Sequence, residues 1–191
     1  MRTYHFTNIT CGLRNIDEVI CGIAKGRLMT IGPTHLYLRK GKQKGISTDQ
    51  LKEIISLARI QEEQGFPYIH SLNHIAYQSE TSYGYLRSVV TRTKAPYKSY
   101  QISKRSGGSR YLKEPSPELK KVQKWINKEI LSRADIHSCC FSYHPKKTIL
   151  DCAQMHCGSK WLIKIDIENF FDNIGEGQVY KAFISMGYKP L

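Results

Sequence analysis

An aspartate near the end of an apolar segment is a first candidate for chemistry in this sequence. Residues 160–167 are rich in apolar strand formers, Asp166 stands near their carboxyl end, and Phe170 and Phe171 follow closely. A carboxylate held at the end of a buried strand can bind a divalent metal rigidly. An aspartate that caps a turn or a helix is the alternative, and the segment by itself leaves both interpretations open.

A second candidate site is a basic β-hairpin. Residues 97–104 and 109–113 are two runs of strand formers, and the linker 105–108 between them contains two glycines. This pairing places Lys104 and Arg110 on adjacent strands beside a flexible tip, a geometry suited to closing over a triphosphate. The alternative is a solvated basic turn.

Positive charge is concentrated around this hairpin. The 191 residues contain 29 Lys and Arg against 16 Asp and Glu, a net charge of +13. Between positions 92 and 133 there are only three acids (Glu114, Glu118, Glu129) against twelve bases, at 92, 94, 98, 104, 105, 110, 113, 120, 121, 124, 128 and 133. Four aromatic rings are interleaved with them: Tyr97, Tyr100, Tyr111 and Trp125. Cations with interspersed rings indicate a nucleic-acid partner rather than a neutral metabolite.

The elements that would position these residues are mainly helices. Ser47 and Gln50 form a predicted capping box, and a helix follows that buries Leu51, Ile54, Ile55 and Ala58 and ends near 65–67. Further helices are predicted at 11–24, 68–78, 81–90, 116–133, 145–156 and 177–186. In the helix at 116–133 the buried stripe is Leu119, Val122, Ile126 and Ile130. With the hairpin and a buried strand at 160–167, the predicted fold class is α+β with a helical N-terminal layer.

Cysteine spacing and hydropathy indicate the redox state and the cellular compartment to expect. The six cysteines form no C-x-x-C pair, so reduced thiols are expected. A zinc cluster of Cys139, Cys140, Cys152, His156 and Cys157 fits no standard spacing, which favours packing. The longest apolar runs are too short to span a bilayer and no secretory leader is visible, so we predict a cytoplasmic protein without a membrane partner.

Four sequence blocks in order resemble the bacterial retron-type reverse transcriptases. Residues 97–110 are similar to the family's fingers motif, and 114–125 to its P-S-x-E-L-K-x-x-Q-x-W segment. Residues 148–156 match its S-I-x-x-x-A-x-x-H pattern, and 165–171 match its first palm motif, D-[IL]-x-x-F-F. The P-S-P-E-L-K helix opening favours the retron and defence branches over group II intron maturases.

The resemblance implies a right-hand polymerase fold and a three-part organisation. Residues 1–90 would be the N-terminal helical region, 91–159 the fingers, and 160–191 the start of a palm. The implied function is RNA-directed DNA synthesis in a retron or related antiphage defence element. Its partners would be a structured non-coding RNA template, the DNA product and deoxynucleotides, with a palm-thumb chain or an effector protein as candidate protein partners.

The resemblance also implies roles for individual residues. Asp166 and the carbonyl of Ile167 would bind Mg²⁺, with Asp166 the first of three catalytic aspartates. Lys104 and Arg110 would neutralise the incoming triphosphate. The remaining nucleotide-binding positions would be Glu168, Asn169 and Phe170, through their backbone amides, and Phe171, whose ring would exclude a ribose 2′-hydroxyl.

The sequence departs from the family pattern in two places. Residues 141–144 read Phe-Ser-Tyr-His where the family has a Gly-Phe pair, and the later Q-G-x-P block and [YF]-x-D-D turn, which follow the first palm motif in the family, have no match after residue 171. No Asp-Asp pair occurs in the sequence. One carboxylate cannot hold two Mg²⁺ ions, so we expect that these 191 residues alone do not polymerise DNA.

Three other functions remain open at this point. A non-catalytic fingers module could bind RNA without chemistry. A metal-dependent nuclease could use Asp166 and Glu168, although side-chain alternation along a strand is expected to point the two carboxylates to opposite faces, which counts against a shared metal. A structural or regulatory domain is the third.

Overall fold

Helices and one small sheet are divided between two units of the chain, and in the described residues the sheet belongs to the first unit. The computed structural model describes residues 34–103, 105, 107–144 and 146–188, and the chain divides after Ile130. Seven helices and one two-stranded antiparallel sheet occur in the described residues, so the predicted α+β class is confirmed. The helix predicted at 11–24 lies outside the described residues. The three-part division at 90 and 159 stays a prediction.

The first unit begins with two helices that share a small core. Helix α1 spans Thr34–Gln43 and α2 spans Thr48–Glu63. The core consists of Ile46, Leu51, Ile54 and Ile55, with Leu38 and Tyr68 packed against it. Ser47 caps α2 through the predicted capping box with Gln50. Gly65 follows the helix at a φ of +83°, and Gly45, before the cap, has a φ of +78°. The predicted start, end and buried stripe of α2 are confirmed.

Helices α3, Leu72–Gln78, and α4, Tyr83–Val90, both start later than predicted. Each begins after a serine, because the Oγ atoms of Ser71 and Ser82 accept hydrogen bonds from the backbone N–H groups three residues on. A serine cap therefore fixes the start of each helix.

The hairpin and the following helix complete the first unit. Strand β1, Tyr97–Ser103, pairs with β2, Ser109–Pro115, and Ser103 lies opposite Ser109 at the tip, so the predicted hairpin is confirmed. Helix α5 spans Pro117–Glu129, with Ser116 as N-cap and Pro117 at its first turn. It ends before the predicted 133, and a 3-10 turn at Leu131–Arg133 follows.

A second core joins helices α3, α4 and α5. It contains Ala76, Leu86 and Val122, with Ile126 packed against it. Ile130 is almost fully buried, at 1% exposure, whereas Leu119 and Ile126 are half-buried. The predicted apolar stripe of α5 therefore faces the interior.

The second unit has two helices and little burial. Helix α6 spans Ile149–Gln154 and α7 spans Glu176–Ser185. The prediction for α7 is confirmed to within one residue. Helix α6 is shorter than the predicted 145–156, because Thr148 forms a capping box with Asp151 and fixes the start there. The hydrogen bond from the Thr148 backbone lowers the pKa of the Asp151 carboxyl.

The buried strand predicted at 160–167 is wrong. Residues 161–167 form no strand ladder, and Trp161, Ile163 and Ile165 are 82–90% exposed. A strand is stable when neighbouring backbone satisfies its hydrogen bonds and its apolar faces are covered. In the described part of the second unit no strand lies beside this segment, and no side chain there is fully buried.

Among the described helices, none is long and apolar enough to cross a bilayer.

Candidate nucleic-acid and nucleotide site

The hairpin presents cations and rings to solvent. Arg110 lies opposite Ile102 in the ladder, and the Arg110 side chain is exposed. Tyr100 and Tyr111 are 46% and 71% exposed, so these rings are not core and can stack on bases. Lys104, the other cation predicted to bind a triphosphate, lies outside the described residues.

Two consecutive glycines form the tip of the hairpin. Gly107 and Gly108 have φ values of +88° and +81°, a region that side chains with a Cβ rarely adopt. Arg105, in the same linker, is exposed. Arg105 therefore offers a cation at the tip, and Gly107 and Gly108 have no side chain that would block the approach of a phosphate.

Specific contacts tie the base of the hairpin to the helices. The Nε2 atom of Gln123 on α5 donates a 2.8 Å hydrogen bond to the Tyr97 hydroxyl. The backbone N–H of Ser116 donates to the carbonyl of Pro96 at 2.8 Å, and the Ser116 hydroxyl bonds to that of Tyr85. These contacts hold the hairpin base while its tip projects into solvent.

Helix α5 extends the basic surface away from the hairpin. Its lysines at 120, 121, 124 and 128 are all exposed. The ammonium of Lys121 donates to the carbonyl of Glu80 at 3.4 Å, and Lys128 pairs with Glu129 at 3.3 Å. Trp125 is half-buried, so it contributes packing as well as an accessible edge. The concentration of charge predicted from the sequence is therefore an exposed surface.

In the second unit, Asp166 lies in exposed, irregular backbone just before a turn at 168–173. Asn169 has a φ of +51°, and the Asn173 side chain donates a 3.0 Å hydrogen bond to the Asn169 carbonyl. An asparagine tolerates this left-handed conformation better than most residues. The Asn173 side chain thus helps to hold the turn, together with its own backbone N–H. The argument from strand alternation against a shared metal at Asp166 and Glu168 is wrong, because no strand forms here and residues two apart on a strand share one face.

The two aromatic rings after Asp166 contact each other rather than a core. Their centroids are 5.4 Å apart in an edge-to-face arrangement, and Phe171 is 71% exposed. In the second unit Phe171 is therefore not a core aromatic, which was the alternative to its predicted role.

The residues near Asp166 fit only part of a metal site. Among the described residues, no group of three or more His, Cys, Asp or Glu side chains could hold a metal ion. Mg²⁺ is nevertheless often bound by one or two carboxylates together with waters and substrate phosphates. The exposed Asp166 carboxylate and the Ile167 carbonyl suit that partial role, and further ligands are required for a two-metal centre.

The predicted site residues fall into two groups. Arg110 belongs to the hairpin of the first unit, while 166–171 form one continuous segment of the second. The contacts of Tyr97 with Gln123 and of Tyr85 with Ser116 were missed from the sequence. They join residues 26 and 31 positions apart, and no local pattern signals such a pairing.

Comparison with known proteins finds several retron reverse transcriptases. The chain is 36% identical over 92 residues to the retron Ec83 reverse transcriptase of Escherichia coli, covering 48% of this chain and 30% of that protein. It is 27% identical over 129 residues to the retron Ec86 reverse transcriptase of the same species, and the match covers 66% of this chain and 40% of that protein. It is 32% identical over 92 residues to the retron Mx162 reverse transcriptase of Myxococcus xanthus, and the match covers 48% of this chain and 19% of that protein.

The matched segments span less than half the length of each of these relatives. No protein-family model matches the chain, and no solved structure matches it. The sequence similarity is therefore what connects the chain to other proteins. Over about half of its length the chain is similar to retron reverse transcriptases, and it carries a region of the retron reverse-transcriptase type.

Proposed function

We propose that the chain supplies the RNA-binding fingers and the first metal-binding aspartate of an RNA-directed DNA polymerase. The observation that carries this proposal is the exposed basic hairpin, with its aromatic rings and glycine tip, in a chain similar to retron reverse transcriptases. Residues 91–159 would be the fingers and 160–191 the start of the palm.

In this proposal the hairpin contacts the substrate phosphates. Arg110 and Lys104 would neutralise the incoming triphosphate, and the glycine tip would allow the hairpin to close over it. The backbone amides of 168–170 would receive phosphate oxygens, and Phe171 would exclude a ribose 2′-hydroxyl. The exposure of Arg110 and of the Phe171 ring supports these assignments.

Asp166 and the carbonyl of Ile167 would hold Mg²⁺. When bound, the metal would lower the pKa of the primer hydroxyl and stabilise the leaving pyrophosphate. The carboxylate of Asp166 would position the ion, and the turn at 168–173 would orient the neighbouring amides. A chain without an Asp-Asp pair needs further carboxylates, which a palm-thumb polypeptide with a Y-x-D-D motif would provide.

The wider setting is also a proposal. A structured non-coding RNA would be the template, the product would be DNA, and the system would act in antiphage defence in the cytoplasm, with an effector protein as a further partner. The names of the relatives support the retron part of this statement.

A non-catalytic RNA-binding module is the second candidate function. The observation in its favour is that the described part of the basic hairpin is exposed within the first unit, whereas the described residues near Asp166 do not form a metal cluster. Such a module would bind RNA as the polymerase does but would gain no activity from additional carboxylates.

A complementation experiment separates the two candidates. The chain would be assayed for primer extension with Mg²⁺ and deoxynucleotides, alone and with a Y-x-D-D palm-thumb polypeptide that is either fused after Leu191 or added separately. We expect no extension by the chain alone and extension by the assembly. The Asp166→Asn assembly should lose extension while it retains RNA binding.

Asp172→Asn is a matched control, because it removes an exposed carboxylate from the turn that follows Asp166. It should leave most of the extension activity in place. Robust extension by the isolated chain, or full activity of the Asp166→Asn assembly, would show that the active site is elsewhere. An inactive assembly that still binds RNA would favour the non-catalytic module.

A further inference from the structure

Residues 161–168 of the second unit combine an exposed apolar face with a charged one. The odd positions are Trp161, Ile163, Ile165 and Ile167, and the even positions from 164 to 168 are Lys, Asp and Glu. The four odd side chains are 64–90% exposed. Alternation with a period of two is the pattern of a strand with one apolar face. An exposed apolar face of this size marks an interaction site.

The backbone of this segment is open as well. Within the described residues, the N–H and C=O groups of 161–167 make no hydrogen bond to other backbone. A row of open donors and acceptors is a template on which another strand can pair. The segment is therefore suited to a partner that supplies a strand.

The side chains of the segment are complementary to a second copy of the same segment. Consider two antiparallel copies that pair with Ile165 opposite Ile165. Lys164 then lies opposite Asp166 twice, and Ile163 lies opposite Ile167 twice. Directly opposite residues in a ladder share a face, so these pairs bring cation to anion and isoleucine to isoleucine.

Most other registers are less favourable. A register shifted by one residue puts apolar side chains opposite polar ones. Antiparallel pairs centred on position 164 or 166 put two lysines or two aspartates opposite each other, and a parallel in-register pair opposes like charges throughout. Centring on Ile163 opposes no like charges, but it leaves Ile167 opposite Ser159. The register centred on Ile165 therefore uses both the apolar and the charged positions best.

We infer that residues 161–168 pair with the same segment of a second copy of this chain, in an antiparallel ladder centred on Ile165. A two-stranded ladder is marginal in water, so the dissociation constant should be roughly 10–100 μM. In the dimer Lys164 of the second copy engages the Asp166 carboxylate and withholds it from a metal. That consequence rests on the proposed function, whereas the association itself goes beyond it.

Sedimentation equilibrium of the full chain tests the inference, over about 5–500 μM to bracket the expected affinity. Lys164→Glu and Asp166→Lys each put like charges opposite one another in both halves of the ladder. Each variant should therefore associate roughly tenfold more weakly than the parent. Hydrogen exchange of the amides of 161–167 should slow as the concentration of the parent rises.

A mixture of the two single variants is the sharpest arm of the test. In a heterodimer of Lys164→Glu with Asp166→Lys, every introduced charge meets an opposite charge, so the mixture should associate about as tightly as the parent. Neither misfolding nor a change in net charge would produce this rescue. Lys181→Glu and Asp172→Lys make the same charge changes at exposed positions outside the ladder, and each should associate as the parent does.

The inference is overturned if the parent stays monomeric throughout the range, if the mixture stays monomeric, or if the two controls associate as weakly as the ladder variants. Association without slower exchange at 161–167 would place the interface elsewhere and also overturn it. A loss in Asp166→Lys without a loss in Lys164→Glu would reject the register centred on Ile165 in favour of that centred on Ile163, where Asp166 meets Lys160. The assay involves no polymerisation, so its failure would leave the proposed function untouched.

Discussion

At the scale of single residues, the imidazole of His74 makes the first unit sensitive to acid. His74 is 2% exposed, its Nδ1 accepts a hydrogen bond from the His70 backbone, and its Nε2 is buried without a hydrogen-bond partner in the described residues. Burial, and secondarily the charge of His70, lowers the pKa of His74 from 6.5 to about 4. The folded state therefore favours the neutral ring.

We predict that stability falls as the pH drops from about 6.5 to about 4. The unfolded chain takes up a proton on His74 in this window while the folded chain does not, and below about 4 the loss is complete. A shift of this size corresponds to about 3 kcal/mol. Urea unfolding of the parent and of His74→Asn, compared at pH 5 and 7.5, measures it.

The matched control for this measurement is His35→Asn, because His35 is exposed on α1. The difference in unfolding free energy between the two pH values should shrink in His74→Asn and persist in His35→Asn. An equal pH dependence in the parent and in His74→Asn would contradict the assignment to His74.

A second prediction at this scale concerns Phe171 in the complemented enzyme. Removal of its ring in Phe171→Ala should admit a ribose 2′-hydroxyl and raise ribonucleotide incorporation relative to deoxynucleotides, by roughly tenfold. Phe171 is exposed, so the substitution should not cost core packing. The ratio of incorporation rates for the two nucleotides is the measurement. Phe170→Ala, which removes the neighbouring ring, should leave the ratio near that of the parent, and an unmoved ratio in Phe171→Ala would reject the gate.

At the scale of elements, the contact between α1 and α2 depends on the absence of a side chain. We predict that Gly41→Ala destabilises the first unit by about 1–3 kcal/mol, because its Cβ would overlap the fully buried Leu51. Gly84→Ala on α4 is the control, since its Cβ would meet nothing closer than 3.6 Å. It should be neutral or stabilise by up to about 1 kcal/mol through helix propensity. Thermal unfolding of both variants tests the pair, and equal effects would contradict the packing argument.

Elements defined by local signals were predictable from the sequence. The capping box at Ser47, the hairpin around the glycine tip and the Ser116-Pro117 opening of α5 all depend on residues within a few positions of each other. The predicted starts of α3 and α4, at 68 and 81, precede the serine caps at Ser71 and Ser82 that set the observed starts. Local chemistry thus determines the boundaries of these elements.

The segment 160–167 shows what local signals cannot provide. Its composition is typical of a buried strand, but a strand also needs a partner, and none lies beside it in the described part of its unit. The candidate site shows the same division between what local sequence and what tertiary structure can provide. The residue types at Arg110 and Asp166 came from motifs, whereas the hydrogen bond that fixes the hairpin base, from Gln123 to Tyr97, needs tertiary structure.

At the scale of the whole molecule, the distribution of charge gives the clearest test of function. The net charge is +13, and the bases between 92 and 133 lie largely on exposed positions of the hairpin and α5. Neutralising phosphates with these cations releases counterions, so affinity must depend steeply on salt. Exposed rings at Tyr100 and Tyr111 add a contribution that salt does not screen.

We therefore predict that the chain binds structured RNA with an affinity that falls roughly 10³-fold between 50 and 200 mM salt, as for about six phosphate contacts. Combining Arg105→Gln with Arg110→Gln should weaken binding and reduce the slope of log affinity against log salt by about one to two. Lys146→Gln with Lys181→Gln removes the same charge from exposed positions of the second unit. If this control weakens binding equally, net charge and not the hairpin attracts RNA. An affinity that does not change with salt would reject the electrostatic argument itself, because phosphate contacts cannot form without displacing ions.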